Sequence, residues 1–128
     1  MVVDASAMLE VLLQTPAAGR VNRVIFAANE TLHAPHLIDL EIAQVLRRYV
    51  RSATISAERG AEAVTDLIDF PLTRYPHFVL LARIWQMRHG LTAYDAAYLS
   101  LAEVLDARLV TRDRALARTG SQVQVEVV

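Results

Sequence analysis

The chain of 128 residues has no cysteine, no lysine, and only four glycines and four prolines. The absence of cysteine excludes a disulfide framework, thiolate metal ligands and a cysteine nucleophile, and it is compatible with a reducing compartment. No apolar run approaches the roughly 20 residues that a membrane-spanning helix needs. We therefore expect a cytoplasmic protein that does not enter a membrane.

A large excess of positive or negative charge is also missing, since the formal net charge is −1. The whole molecule is not the strongly basic domain typical of many nucleic-acid binders, so any RNA binding must be local. All 13 basic residues are arginine, whose planar fork suits phosphate. Hydrophobic residues make up 54% of the chain, which excludes extensive disorder and predicts one compact domain over residues 1–128.

Short apolar segments alternate with stretches of helical periodicity along the whole chain. The pattern predicts strands over 1–3, 31–34, 72–75, 108–111 and 123–127, with the third strand at an edge of the sheet. It predicts helices over 4–13, 17–29, 36–51, 56–69, 78–88, 92–106 and 113–118. Such alternation favours an α/β fold in which helices cover both faces of a parallel five-stranded sheet.

Two aspartates follow predicted strands. Asp4 comes directly after the first strand, and Asp113 lies two residues after the fourth. In an open α/β sheet the ligand binds beyond the carboxyl ends of the strands, near the point where strand order reverses. If the first and fourth strands are neighbours, both carboxylates point into the same crevice.

Glu41 and Asp95 are two further acids, and each borders the apolar face of a predicted helix. Two carboxylates about 4 Å apart repel each other by roughly 4 kcal/mol at an effective dielectric constant of about 20. A divalent cation would remove this conflict, and Mg²⁺ or Mn²⁺ suits a set of carboxylate oxygens. Such an ion can activate water for in-line attack on a phosphodiester.

Four motifs, in this order and spacing, resemble the PIN domain and most closely the VapC toxins. They are the first strand ending in Asp4-Ala5-Ser6, the run Glu41 to Leu46 followed by two arginines, the segment Thr92 to Leu99, and Leu109 to Asp113. Together they extend over nearly the whole chain. The sequence departs from many relatives at Gln44, where they carry Asn.

The resemblance implies a PIN-like, Rossmann-like parallel sheet and an endoribonuclease that depends on Mg²⁺ or Mn²⁺. It also implies a toxin that cleaves cellular RNA and is inhibited by a VapB-type antitoxin protein. The positions that match the family's acidic quartet, which would ligate the metal and carry catalysis, are Asp4, Glu41, Asp95 and Asp113.

The resemblance assigns roles to two residues beside the quartet, and other candidates follow from their position in the sequence. Ser6 and Thr111 match hydroxyl positions that would orient carboxylates or water. Arg112 and Arg114 flank Asp113 and are candidate RNA contacts. Apolar helix surface in the first half of the chain is a candidate for a homodimer or antitoxin contact.

The same acids have simpler roles that remain open. Asp4 and Asp113 each stand where they could N-cap the helix that follows, and Thr92 to Asp95 has the spacing of a capping box. Glu41 lies in mid-helix and has no capping role. If the acids form a metal site, alanine or asparagine at Asp4 or Asp95 should abolish cleavage with little loss of stability. A large loss of folding would favour capping.

Other functions have weaker support in the sequence. His33 and His36 are three residues apart, but no second pair of His or Cys completes a zinc site. No G-x-S-x-G motif supports a serine hydrolase. Two alternatives to the toxin stay open: a PIN-domain nuclease of RNA processing without an antitoxin, and a catalytically inactive PIN-like module that binds RNA or protein.

Overall fold

A computed structural model describes residues 1–27 and 29–128, and over these residues five strands alternate with six helices. The strands are β1 (Val2–Val3), β2 (Leu32–Pro35), β3 (Leu72–Tyr75), β4 (Leu109–Thr111) and β5 (Val125–Val127). The helices are α1 (Ala5–Leu13), α2 (Ala18–Ala27), α3 (Leu37–Arg51), α4 (Ala57–Asp69), α5 (Leu81–Gln86) and α6 (Ala93–Leu105).

The five strands form one parallel sheet in the order β3-β2-β1-β4-β5. The central strand β1 therefore has β2 on one side and β4 on the other, with Val2 level with Leu109 and Val3 level with Val110. This arrangement confirms the predicted α/β fold, the edge position of β3 and the adjacency of the first and fourth strands. The reversal of strand order lies beside β1.

Both central strands are apolar without alternation, as expected for strands that are covered on both faces. Val2, Val3, Leu109 and Val110 are fully buried. They belong to one core cluster, to which all six helices contribute side chains. The carboxyl ends of β1 and β4 therefore project from the middle of the core, and any polar side chain that follows them begins in a buried environment.

Two features hold helix α3 against its neighbours, the hydrogen bonds of Arg74 and the close helix packing that Gly60 allows. Nε of Arg74, in β3, donates to both carboxylate oxygens of Asp39 in α3, at 2.9 and 2.8 Å, and its Nη2 donates to the carbonyl oxygen of Leu67 in α4 at 2.9 Å. Gly60 lets α4 approach α3 closely, because a Cβ there would lie 2.8 Å from Cγ2 of Val50. These contacts fix the helix that carries Glu41.

Three predicted boundaries were wrong. The predicted helix over 78–88 is a 3₁₀ turn, His77–Leu80, followed by the short α5, and the predicted helix over 113–118 is only a 3₁₀ turn, Leu116–Arg118. Pro35 is the last residue of β2 instead of the residue that stops it. Ala28, which the sequence assigned to the second helix, lies outside the described residues. No helix within residues 1–27 or 29–128 combines the length and apolarity needed to cross a membrane.

Candidate active site

Asp4 lies directly beyond β1 and is the N-cap of α1. Its Oδ1 accepts hydrogen bonds from the backbone N–H of Ala7 at 3.0 Å and from Oγ of Ser6 at 2.7 Å. Its Oδ2 accepts a hydrogen bond from Oγ1 of Thr111, the last residue of β4. The Asp4 residue is only 6% exposed, and these three donors compensate for the water that its carboxylate has lost.

The hydroxyls that hold Asp4 also join the ends of the two central strands. Oγ of Ser6 accepts from the backbone N–H of Arg112 at 2.9 Å, and Oγ1 of Thr111 accepts from the backbone N–H of Asp113 at 2.9 Å. Each hydroxyl thus donates to Asp4 and accepts from the chain after β4. This network connects residues that are 107 positions apart and fixes the position of the Asp113 backbone.

Glu41 reaches the site from α3. Its Oε1 accepts a hydrogen bond of 2.6 Å from the hydroxyl of Tyr98 in α6, and Tyr98 is buried. The ring of Tyr98 belongs to the core, and its hydroxyl orients an acid of the site. The separation of 57 residues gives this contact no local signature in the sequence.

Asp95 and Asp113 complete the acidic group from α6 and from the loop after β4. Thr92 caps α6 by accepting a hydrogen bond from the backbone N–H of Asp95 at 3.1 Å, so the carboxylate of Asp95 is not the cap. Oδ1 of Asp113 accepts from the backbone N–H of Ala115 at 2.8 Å, which is a local turn contact. Asp95 is half-buried and Asp113 is exposed.

The charges of the four acids act on one another. Burial raises the pKa of Asp4 above its ordinary value of 3.8, the bonds from Thr111, Ser6 and the Ala7 N–H oppose this, and the charge of Asp95 adds to it. Burial also raises the pKa of Asp95, and the charge of Asp113 raises it further. The four acids therefore share one electrostatic site.

The same forces act on the pair formed by Glu41 and Tyr98. Burial raises the pKa of Glu41, the hydrogen bond from Tyr98 lowers it, and the charges of Asp4 and Asp95 raise it. Burial, together with the negative charge of Glu41, raises the pKa of Tyr98 well above its ordinary value. The Tyr98 hydroxyl therefore stays protonated at any physiological pH and remains a donor.

The chemistry of the donors fits a hard divalent cation, because all four side chains offer carboxylate oxygens and no sulfur or imidazole is among them. Within residues 1–27 and 29–128, however, no three acidic or histidine side chains stand together as a ready ligand set. Asp4 is held in place by its hydrogen bonds, whereas Asp95 and Asp113 are the more exposed members. Ligation of one metal ion by three or more of these acids would therefore require side chains to reorient toward one another.

Two other predicted groups have different surroundings. Nε of Arg112 lies 3.3 Å from Oε1 of Glu10, and its Nη1 donates to the carbonyl oxygen of Val128 at 3.3 Å. Part of its charge is thus compensated within the chain. The ring nitrogens of His33 each contact a hydroxyl, Nε2 that of Thr31 at 2.7 Å and Nδ1 that of Tyr75 at 2.8 Å, which fits a structural histidine.

Comparison with known proteins gives the family. Residues 1–122 match the model of the PIN domain. Ribonuclease VapC9 of Mycobacterium tuberculosis is 44% identical over 128 residues, covering 99% of this chain and 97% of that protein. The crystal structure of PAE2754 from Pyrobaculum aerophilum superimposes with a TM-score of 0.70 at 26% identity, over 98% of this chain and 82% of that one.

A further structure supports the fold alone. VapBC2 from Rickettsia felis, bound to a DNA fragment from their promoter, superimposes with a TM-score of 0.64 at 14% identity, over 98% of this chain and 96% of that one. The match to the family model extends from β1 to the residues before β5 and so includes every acid of the site. The chain belongs to the PIN-domain family and, within it, to the VapC-type ribonucleases.

Proposed function

We propose that this chain is a metal-dependent endoribonuclease, the toxin of a VapBC-type toxin-antitoxin system, which cleaves cellular RNA in the cytoplasm with Mg²⁺ or Mn²⁺. Residues 1–128 work as a single domain. Asp4, Glu41, Asp95 and Asp113 hold the metal and carry catalysis, and Ser6 and Thr111 orient Asp4. The ribonuclease names of relatives such as VapC9 support the reaction class.

One observation carries the proposal: Asp4 is buried at the reversal of strand order, the charge of Asp95 raises its pKa, and the charges of Asp4 and Asp95 raise the pKa of Glu41. A protein that needed only a helix cap could use Ser or Asn at this position. It would gain nothing from Glu41, which caps no helix. A site with this excess of negative charge is suited to a cation and an attacking water.

Each side chain has a defined contribution. Ser6 and Thr111 fix both oxygens of Asp4, and Oδ2, which accepts only the bond from Thr111, keeps a lone pair for a metal. Tyr98 engages Oε1 of Glu41, and among the described residues no donor engages Oε2. When bound, a divalent cation supplies charge neutralisation at the phosphate and lowers the pKa of a water. Asp95 is half-buried and Asp113 is exposed, so the substrate can reach both carboxylates.

The test is cleavage of total bacterial RNA by the purified protein in Mg²⁺, in Mn²⁺ and in EDTA. We expect discrete fragments with either metal, none in EDTA, and none from Asp95→Asn. Asp95 is the better target than Asp4, because its carboxylate does not cap a helix and its loss changes charge without removing the α6 cap. Removing one metal ligand should lower cleavage by at least about 100-fold.

Asp69→Asn is the matched control, because Asp69 is an exposed aspartate at the end of α4. This end of α4 leads into the edge strand β3, whereas the site lies beyond β1 and β4. Asp69→Asn should cleave as the wild type does. Fragments that persist in EDTA, or in Asp95→Asn, would contradict the metal-dependent mechanism. If the folded wild type gives no fragments with either metal, the catalytically inactive binding module replaces the enzyme as the explanation.

Partner proteins are the second part of the proposal: a VapB-type antitoxin and a second copy of the chain. Large apolar side chains are exposed at several places, and exposure of this kind is typical of surface that another protein covers. Phe78 in the 3₁₀ turn before α5, and Leu81 and Trp85 in α5, are 57–68% exposed. Leu40 in α3 and Ile68 in α4 are 77% and 69% exposed.

A further inference from the structure

A groove lined by arginines lies beside the acidic site. Its volume is about 500 Å³, and four of its seven lining residues are arginines. They come from α2, from the loop after β4 and from the 3₁₀ turn that follows, and the remaining wall is made of small or aliphatic residues. We call it the arginine groove, and its arginines are Arg20, Arg112, Arg114 and Arg118.

Most of the positive charge in the arginine groove has no partner within the chain. Arg112 has an ion pair with Glu10. Arg20, Arg114 and Arg118 are exposed, and among the described residues no carboxylate lies within 4 Å of any of them. Three uncompensated guanidinium groups around one groove repel each other unless an anion joins them. In a protein with a net charge of −1, this is a local basic site.

The groove is continuous with the acidic site through the chain itself. Asp113 stands between Arg112 and Arg114 in sequence, and the backbone N–H of Arg112 donates to Oγ of Ser6, which in turn donates to Asp4. The groove is therefore lined by both sequence neighbours of Asp113, and its wall extends to Arg20 in α2. A strand with one phosphate at the acids would present its next phosphates to these arginines.

We propose that the arginine groove binds the backbone phosphates next to the cleaved phosphate on the same RNA strand. By holding these phosphates, the groove determines which phosphate reaches the acids. This inference rests on the ribonuclease function proposed above. Guanidinium groups bind phosphate with two parallel hydrogen bonds. None of the groove's lining residues is aromatic, so the groove offers no platform for a base. It holds the backbone and tolerates any sequence.

The experiment measures affinity for a labelled single-stranded RNA oligonucleotide of mixed sequence, in EDTA, over a series of salt concentrations. The variant is Arg20→Gln with Arg118→Gln, since neither arginine has an ion pair to lose. Each phosphate contact on a single strand contributes about 0.7 to the slope of log K against log salt. We expect the double variant to bind more weakly and its slope to be shallower by about 1.4.

Arg23→Gln is the matched control, because Arg23 is an exposed arginine on the same helix as Arg20 and does not line the groove. It should keep the wild-type slope. A double variant with the wild-type slope would overturn the groove proposal, whatever the enzyme's activity. An equal decrease of slope in Arg23→Gln would overturn it too, since the effect would then be one of general charge.

The two proposals fail separately. If the wild type cleaves RNA but the double variant keeps the wild-type slope, the ribonuclease stands and the groove is wrong. If the wild type binds RNA through the groove without cleaving it, the groove stands and the ribonuclease is wrong. A wild type that neither binds nor cleaves RNA contradicts both.

Discussion

Asp4 caps helix α1 through Oδ1, and both of its carboxylate oxygens accept hydrogen bonds from hydroxyls of the acidic site. The sequence presented these roles as alternatives, but the structure combines capping with the site's hydrogen-bond network. The N–H groups and dipole at the start of a helix favour a negative charge, so the cap also stabilises the ionised form of Asp4, the form that the proposed metal site needs. Loss of stability in Asp4→Ala would therefore not distinguish the two roles, since the cap alone contributes about 1 kcal/mol.

Thr111 gives a sharper test of a positioning residue. Thr111→Val keeps the shape of a fully buried side chain but removes the donor to Asp4 and the acceptor for the Asp113 N–H. We expect RNA cleavage and Mg²⁺ affinity to fall by roughly 10- to 100-fold, the range typical of residues that orient metal ligands. Titration calorimetry with Mg²⁺ and a cleavage assay measure the two effects.

Thr111→Ser, which keeps the hydroxyl, should restore most of both quantities. Thr65→Val is the control, because the Thr65 hydroxyl only donates to a backbone carbonyl within exposed α4. Wild-type Mg²⁺ affinity in a folded Thr111→Val protein would show that the hydroxyl does not orient Asp4 for the metal.

At the scale of elements, local patterns predicted every strand and most helices. Ser56 and Thr92 cap α4 and α6 as their positions indicate, and the uniformly apolar β1 and β4 are central. The helix expected after Asp113 did not form because local side-chain hydrogen bonds compete with the helix for backbone N–H groups. The N–H groups of Asp113 and Ala115 are bonded to side-chain oxygens, so the chain makes a turn before the short 3₁₀ segment.

What brings the elements together could not be predicted from one sequence. The family resemblance selected the four acids, but nothing local pairs Tyr98 with Glu41, because that bond depends on how α6 packs beside α3. The same holds for the arginine groove, in which Arg20 meets residues about ninety positions later in the chain. The sequence identifies contacts between residues that are close along the chain, whereas contacts between distant elements were found only in the structure.

The close approach of α3 and α4 makes Gly60 a sensitive position. Alanine in a helix is usually more stabilising than glycine by about 0.5–1 kcal/mol. At Gly60, however, its Cβ would meet Cγ2 of Val50 at 2.8 Å, and valine is stiff about χ1. We expect Gly60→Ala to lower the free energy of unfolding by about 1–2 kcal/mol in urea denaturation.

Gly19 provides the matched comparison, because it also lies in a helix and a Cβ there would meet nothing within 4 Å. Gly19→Ala should leave stability unchanged or raise it by about 0.5 kcal/mol. Adding Val50→Ala to Gly60→Ala should recover part of the loss. If Gly60→Ala is as stable as Gly19→Ala, the two helices are not in the tight contact described.

For the molecule as a whole, the acidic site makes stability depend on pH and on metal. Folding raises the pKa of Asp4 above 3.8, so the folded state binds this proton more tightly than the unfolded chain does. The resulting stabilisation is complete below the unfolded pKa and is lost as pH rises through the folded value. In EDTA, Asp4→Asn should therefore gain stability relative to the wild type as pH increases from about 4 toward neutrality.

Urea denaturation of both proteins over this pH range measures the difference. Mg²⁺ binds deprotonated carboxylates, so its addition should stabilise the wild type increasingly at higher pH and leave Asp4→Asn almost unaffected. Asp69→Asn should follow the wild type in both conditions. A stability difference between Asp4→Asn and wild type that does not change with pH would mean that Asp4 ionises as freely in the folded protein as in the unfolded chain.

The hydrogen bond between Thr111 and Asp4 has a consequence for synthesis of the protein. The two residues are 107 positions apart, and a ribosome that adds about 5–20 residues per second separates them by roughly 5–20 s. Throughout that interval β1 has no β4 beside it, and the carboxylate of Asp4 lacks the hydrogen bond from Thr111. On the proposed function, an unfinished chain would be inactive until residues 111–113 join the end of β1.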